Sequence, residues 1–349
     1  MKLGGLKISP EMLRLIGGID EFKGSWRTLT TLAPERLAAL KRVATIESIG
    51  SSTRIEGAKL TDAQVEELLG RLEQKAFVSR DEQEVAGYAE VMDAVFDSHA
   101  SIQLTENYIK QLHAMLLRNS NKDERHRGEY KKLPNNVEAF DADGKSVGVI
   151  FQTASPFDTP YRMQELVAWT REALSDRAWH PLIAVGMFVV VFLEIHPFQD
   201  GNGRLSRVLT MLLLLQAGYA YAPYSSLESI IEANKEGYYL ALRRTQGTLR
   251  RDEPDFEPWL LFFLRSLNTQ KDRLAEKIVR EPQAEGLHPD TLKILEEARR
   301  MGRITTGDAE KLTGAPRPTV KTRLGELVKR GLLVRQGQGR GAWYGLPNR

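Results

Sequence analysis

From Leu182 to Leu193 the chain carries no charged or polar side chain. The run is far shorter than the ~20 apolar residues a membrane span needs, so it reads as a helix buried on every side. A second segment, Arg204 to Ala217, is apolar nearly all round. Two such helices have to be enclosed by the rest of the chain, which predicts a mainly α domain with this pair at its centre. The enclosing elements show apolar residues at three- and four-residue spacing: Asp81 to Ser98, Thr105 to Leu117, and Tyr161 to Leu174. Upstream, Pro34-Glu35-Arg36-Leu37 opens a helical pattern running to about Ile49, Gly50-Ser51-Ser52 is expected to break it, and Thr61 suits the N-cap of the next helix. Downstream, a helix from Trp259 to Val279 leads to an expected linker from Glu281 to Gly286.

One stretch has a different texture. Val137 to Phe140 and Val147 to Ile150 flank Asp141-Ala142-Asp143-Gly144, the pattern of a short β-hairpin. The tail has its own order: helices from Thr291 to Met301, Thr306 to Leu312 and Arg317 to Arg330, then short strands at Leu332 to Arg335 and Ala342 to Gly345 around a Gly-rich turn. Three helices and a Gly-rich hairpin predict a winged helix-turn-helix over 286–349. From Gly286 to Arg349 there are 4 Lys and 9 Arg against 6 Asp and Glu, a net charge of +7; the whole chain carries +3, so the remainder is at −4. A basic tail on an acidic body points to a polyanionic partner for the tail alone. Arg317, Thr319, Lys321, Thr322 and Arg323 on its third helix are candidates to face DNA, and Arg340 at the wing tip could reach phosphate or the minor groove.

The polar segment between the two central helices, His196-Pro197-Phe198-Gln199-Asp200-Gly201-Asn202-Gly203-Arg204-Leu205-Ser206-Arg207, carries the chemistry. Gly201 and Gly203 permit a tight backbone path whose N–H groups can converge on phosphate oxygens. The helix expected to start near Arg204 adds its positive end. Arg204 and Arg207, three apart, share a helix face and can clamp further phosphates. Asp200 beside an anion nest makes sense where Mg²⁺ bridges carboxylate and phosphates. His196 can accept a proton near neutral pH from an attacking hydroxyl. Together these are the parts for in-line attack at a nucleotide phosphorus.

The run resembles the signature of the Fic family, His-Pro-Phe-x-Asp/Glu-Gly-Asn-Gly-Arg-x-x-Arg, at every fixed position. The resemblance implies a Fic helical fold with a β-hairpin flap, organised as a helical N-terminal region (1–80), a catalytic domain (81–280) and the winged-helix domain (286–349). It implies a protein adenylyltransferase that moves AMP from ATP onto a Ser, Thr or Tyr hydroxyl of a target protein and of itself. His196 would be the general base, Asp200 would bind Mg²⁺, Asn202 with Gly201 and Gly203 would hold the α- and β-phosphates, and Arg204 and Arg207 the β- and γ-phosphates. Gly201 and Gly203 stand where the related Doc-type kinases have Ala and Lys, which favours AMP transfer over phosphoryl transfer. The flap at 137–150 would pair with the target's backbone as an added strand. Asn234 and Tyr238, in Ile231 to Tyr239, are the candidates for adenine contact.

Ser52-Thr53-Arg54-Ile55-Glu56-Gly57 resembles the family's inhibitory motif, Ser/Thr-x-x-x-Glu-Gly/Asn. By that resemblance Glu56 would pair with Arg207 where the γ-phosphate has to sit, with Ser52 and Gly57 completing the motif. The resemblance also suggests a homodimer that could regulate this brake. Two other readings compete: a DNA-binding regulator whose Fic domain is inactive or accessory, and a Fic enzyme that transfers another nucleotide or phosphocholine. The chain has no cysteine, which excludes disulfides and thiolate metal sites and agrees with a reducing compartment. Its first residues lack the apolar core of a signal peptide. The expected location is therefore cytoplasmic.

Overall fold

The computed structural model describes residues 6–29, 34–72, 77, 79–135, 137–140, 146–176, 179–284, 287–337 and 342–347. They form two compact units, Met1–Arg273 and Leu274–Arg349. The N-terminal helices belong to the same unit as the central pair.

In the first unit the helices are α1 (Pro10–Leu29), α2 (Pro34–Ile55), α3 (Asp62–Leu69), α4 (Arg80–Ser98), α5 (Glu106–Leu116), α6 (Thr159–Ser175), α7 (Pro181–Ile195), α8 (Asn202–Gln216), α9 (Leu227–Ala233), α10 (Lys235–Gln246) and the part up to Arg273 of α11 (Glu257–Ala284). Every residue of α7 from Leu182 to Ile195 is buried, as is α8 from Arg204 to Leu215. This is the central pair that the apolar runs predict. Close approach at Gly186 seats it: a Cβ there would lie 2.8 Å from Leu260 and 3.0 Å from Phe263 of α11. The indole N–H of Trp259 donates to the Gly186 carbonyl at 2.6 Å. Between α5 and α6 lies the hairpin, strands β1 (Val137–Phe140) and β2 (Ser146–Phe151), antiparallel with register irregularities. Its expected turn lies outside the described residues.

Two expectations about helix ends are corrected. Helix α2 does not break at Gly50-Ser51-Ser52 but continues to Ile55. Ser51, Ser52 and Thr53 are buried, and the Thr53 hydroxyl returns to the carbonyls of Ile49 (3.0 Å) and Gly50 (2.9 Å). Tertiary packing overrides weak intrinsic propensity, and the Thr53 hydroxyl is satisfied within the helix. Helix α11 likewise runs past Val279 to Ala284, into the expected linker. A proline forfeits one backbone donor, and the residues flanking Pro282 are good helix formers. The Thr61 cap stands as expected, in a reciprocal capping box with Gln64.

The second unit contains α12 (Pro289–Met301), β3 (Arg303–Thr305), α13 (Thr306–Thr313), α14 (Arg317–Lys329), β4 (Val334–Gln336) and β5 (Trp343–Gly345). Its three helices and two of its strands follow the order read from the sequence. The third strand, β3, was not expected; it pairs antiparallel with β5 in the order β3-β5-β4. Ile294, Leu295, Ile304, Val320, Leu324 and Leu327 form its core. Arg340 lies outside the described residues.

Candidate active site

The loop joining α7 to α8 begins with a backbone anomaly. His196 has φ 52° and ψ 59°, the only positive φ outside glycine among the described residues. The left-handed region costs a non-glycine residue ~1–2 kcal/mol, so a glycine would be the ordinary choice and the imidazole is the reason to depart from it. Nδ1 lies 3.3 Å from the Leu193 carbonyl. With the proton placed there, the Nε2 lone pair is left to accept. Burial pushes the His196 pKa down to about 4, assisted by the Lys131 charge and opposed by the Leu193 carbonyl and the carboxylates of Glu56 and Asp200. The ring is therefore neutral at pH 7, the state a proton acceptor needs.

Gly201, at φ 77°, turns the chain into α8, whose first residue is Asn202, two before Arg204. Both ends of the Asn202 amide are used in the loop: Oδ1 accepts from Phe198 N at 2.9 Å and Nδ2 donates to Phe198 O at 2.7 Å. The side chain expected on phosphate is thus closed on the backbone, while the first-turn N–H groups of α8 have no intrahelical acceptor. Asp200 Oδ1 accepts from Gly201 N at 2.6 Å. Burial would raise the Asp200 pKa, but Arg204, the Gly201 N–H and Arg80 outweigh it and hold the carboxyl below its ordinary value.

The two arginines diverge. Arg204 is buried and packs against Glu84 (3.2 Å) and Asp200 (3.5 Å). Arg207 faces α2: Nε donates to Ser52 Oγ at 2.8 Å, and Nη2 donates to Ser52 O at 2.9 Å and to Glu56 Oε1 at 2.8 Å. Its Nη1 is buried without a hydrogen-bond partner. Burial alone would lower the Arg207 pKa, but the facing Glu56 carboxylate prevails and the net shift is upward. That carboxylate also lies over the first turn of α8. A Cβ at Gly203 would stand 2.1 Å from Glu56 Oε1. Glycine at 203 is therefore what lets an oxyanion come this close to the helix N-terminus. Gly57, at φ 107°, turns the chain away just after Glu56.

Several supporting residues escaped the sequence reading. Arg54 forks onto Glu232 of α9 at 2.7 and 2.9 Å and reaches Asp62 at 2.8 Å, which fixes the end of α2 just before Glu56. His113 accepts at Nδ1 from Gly128 N (2.8 Å), so its Nε2–H donates to Asp200 O (3.0 Å). Its ring stacks on Phe198 at 3.8 Å. Burial pushes the His113 pKa down to about 4. A lone histidine on the face of α5 shared by Ile109, Leu112 and Leu116 was the available signal.

The expected adenine contacts are not alike. Asn234 is exposed between α9 and α10 and lines a cleft of about 510 Å³ with Gly237, Leu240 and Phe262. Tyr238 is 3% exposed, its ring set against Trp259 and Phe262, each at 5.8 Å between centroids. The ring is buried in the core, and Tyr239 beside it is the exposed ring. In the second unit Arg317, Thr319, Lys321 and Thr322 are exposed on α14, while Arg323 is folded inward onto Asp290. Among the described residues no group of three or more His, Cys, Asp or Glu could hold a metal, and no helix is long and apolar enough to cross a membrane.

Residues 103–214, the stretch holding the hairpin, α7 and most of α8, match the Fic/DOC family model. A probable protein adenylyltransferase of Aquifex aeolicus is 32% identical over 90 residues, covering 26% of this chain and 27% of that protein. The protein adenylyltransferase Fic of Drosophila mojavensis is 39% identical over 64 residues, 18% of this chain and 12% of that one. The chain thus spans about a quarter or less of the length of these relatives. Among solved structures, a Fic family protein from Desulfovibrio desulfuricans G20 superposes with a TM-score of 0.61 at 23% identity, covering 99% of this chain and 98% of that one. A Fic domain containing signaling protein from Bacteroides thetaiotaomicron VPI-5482 gives 0.60 at 25% identity, covering 78% and 98%. These likenesses support the helical Fic fold.

Proposed function

We propose that the protein is an adenylyltransferase that moves AMP from ATP onto a Ser, Thr or Tyr hydroxyl of a protein, and that Glu56 holds it in check. The observation carrying this reading is the Glu56 carboxylate itself. It sits over Gly203 at the positive end of α8 and pairs with buried Arg207, beside a neutral histidine. A seat that holds a carboxylate so closely is built for an anion, and a triphosphate offers a better one.

In the transfer, the target hydroxyl gives its proton to His196 Nε2 as its oxygen bonds to the α-phosphorus. The bond from that phosphorus to the α,β-bridging oxygen breaks, and pyrophosphate leaves with the electron pair. Gly201 and Gly203 let the phosphates approach the backbone, and Arg207, released from Glu56, takes the terminal phosphate. Arg204, already paired with Glu84 and Asp200, stiffens the loop beneath. Mg²⁺ fits Asp200: the carboxyl is ionised, a third exposed, and Oδ2 has only a 3.4 Å contact with Arg80. One carboxylate suffices where substrate phosphates and water complete the shell; bound there, Mg²⁺ would neutralise phosphate charge. Each strand of the two-stranded hairpin has one edge unpaired in its sheet. A target backbone that added there would be bound with little demand on its sequence.

The test uses wild type, Glu56→Gly and Glu56→Gly/His196→Ala, incubated with ATP and Mg²⁺ and read by intact mass. AMP on Glu56→Gly alone is expected; no adduct on any variant, with supplied protein targets also unmodified, would reject transfer. Parallel reactions with GTP, UTP and CDP-choline fix the group transferred. For the second unit we propose a winged helix-turn-helix that binds DNA, on the exposed Arg317, Thr319, Lys321 and Thr322 of α14 in a segment of net charge +7. Retardation of a DNA fragment that weakens steeply with salt is the expected result.

A further inference from the structure

His196 keeps its left-handed backbone because its neighbours are held from outside. Lys131, which is 3% exposed, donates through Nζ to Asn135 Oδ1 (2.8 Å), Thr153 Oγ1 (2.9 Å) and the Ile195 carbonyl (2.9 Å). Three donors meet three neutral acceptors. The backbone N of Lys131 donates to the Pro197 carbonyl at 2.8 Å. Asn135 Nδ2 donates to the carbonyls of His196 (3.2 Å) and Phe198 (2.6 Å). Four successive carbonyls, 195 to 198, are thus taken up by two residues. Those of Ile195 and His196 are carbonyls that the C-terminus of α7 leaves without intrahelical partners, the Phe198 carbonyl is shared with Asn202 Nδ2, and the four lie on either side of the strained residue.

The location of the three side chains matters as much as their bonds. Lys131 and Asn135 precede β1, which begins at Val137, and Thr153 follows β2, which ends at Phe151. The hub therefore binds both ends of the hairpin to the loop bearing the base. A buried ammonium whose hydrogen bonds all go to neutral groups is expensive. Burial pushes the Lys131 pKa down to about 8, opposed by the Glu194 carboxylate and assisted by the Arg162 charge. A neutral side chain of similar length would fill the space more cheaply, so the ammonium is retained for the three bonds it alone can make at once.

We propose that Lys131, Asn135 and Thr153 are positioning residues that hold His196 in its reactive conformation and couple it to the hairpin. The proposal rests on His196 being the base for AMP transfer. Its consequence is separable from ATP binding, since the α8 terminus and Arg207 are not part of the hub. The experiment takes Glu56→Gly as parent and adds Lys131→Met, Thr153→Val or Thr153→Ser. Misplacing a catalytic group by about 1 Å costs ~10²-fold in rate. Lys131→Met should therefore lower kcat by about that factor, and Thr153→Val, which at constant shape removes the acceptor for Lys131 and the hydroxyl's own donation to Asn135 Oδ1 (3.0 Å), by roughly 10-fold. Thr153→Ser, which keeps the hydroxyl, should stay within about twofold of the parent, and the KM for ATP should be unchanged throughout. Thermal unfolding verifies that each variant is folded.

Folded Lys131→Met and Thr153→Val with the parent's kcat would overturn the proposal, as would a loss confined to the KM for ATP or a Thr153→Ser as slow as Thr153→Val. A second readout needs no activity. In protein labelled at its 6 histidines, the His196 ring resonances should move in Lys131→Met while those of His113 stay in place. An inactive parent would sink the transfer reading and leave this readout in force; unmoved His196 resonances would sink the hub.

Discussion

Glu56→Gly removes one carboxylate from a buried guanidinium, and its effect can be sized from the contact. A hydrogen bond between charged groups contributes ~1.5–3 kcal/mol. Arg207 is 4% exposed but the Glu56 side chain is 33% exposed, and the wetter partner moves the contact toward the lower end of that range. At about 2 kcal/mol, with each 1.4 kcal/mol a factor of ten, the seat over α8 is free in roughly one molecule in thirty. Removing the carboxylate should then raise the initial rate of self-modification at low ATP by ~30-fold. Glu56 lies past the last residue of α2, so glycine there interrupts no helix. Glu56→Gln is the graded control. It keeps the shape and one neutral acceptor worth ~1 kcal/mol, and should release the enzyme by only about fivefold. The assay follows AMP per chain by intact mass during the first turnover. A Glu56→Gly rate within twofold of wild type would refute the brake, and an equal rate for Gln and Gly would refute its electrostatic basis.

Four further outcomes follow from the same structure. Gly203→Ala places a Cβ 2.1 Å from Glu56 Oε1; in a Glu56→Gly background it should still abolish AMP transfer, because the methyl fills the phosphate's approach, and titration calorimetry should find ATP binding lost. Gly87→Ala puts a Cβ 2.0 Å from the Leu116 carbonyl where α4 crosses α5, and overpacking against backbone should cost ~2–3 kcal/mol in denaturant unfolding. His113 and His196 have folded pKa values near 4, below the ~6.5 of an unfolded chain. The unfolded state therefore binds more protons, so their stabilisation is complete above pH 6.5 and falls away as pH drops toward 4. Each contributes at most about 3 kcal/mol, and His113→Gln should flatten the acid side of a stability–pH curve by close to one proton. The transfer rate should likewise keep its neutral base down to about pH 4 instead of losing it near 6.5.

What could be read from the sequence was whatever lies close together along it. The apolar runs of α7 and α8 announce a buried pair, and the twelve residues from His196 to Arg207 present base, carboxylate, glycines and arginines within one turn of chain. What could not be read is how side chains are consumed by partners far away. Nothing local says that Arg204 is paired with Glu84, or that Tyr238 is buried beside Trp259. Lys131 and Arg54 look like ordinary surface cations; their buried bonds reach Ile195 and Glu232, 64 and 178 residues distant. The break expected at Gly50 failed for the same reason, since the small residues that weaken a helix alone are those that let α2 pack closely on its neighbours.

The brake and the stability of the site are one problem. Arg207 is 4% exposed, and a buried guanidinium that loses its anion costs more than the pair ever contributes, ~3–5 kcal/mol in enclosed sites. Ser52 supplies two of its hydrogen bonds, but neither carries charge. A nucleotide site built around such an arginine therefore needs a resident anion when empty, and a carboxylate on a neighbouring helix end serves as counter-charge and inhibitor together. Activation by removing Glu56 should then be accompanied by instability. With the cost discounted to ~2 kcal/mol for the part of the carboxylate in water, the melting temperature of Glu56→Gly should drop by roughly 4–8 °C without nucleotide. Saturating ATP and Mg²⁺ should restore most of it, because the phosphates replace the missing charge, whereas wild type should gain little from the same addition. A Glu56→Gly protein as stable as wild type without nucleotide would mean that Arg207 finds another anion, and Glu228, buried and within electrostatic reach of it, is where that anion should be sought.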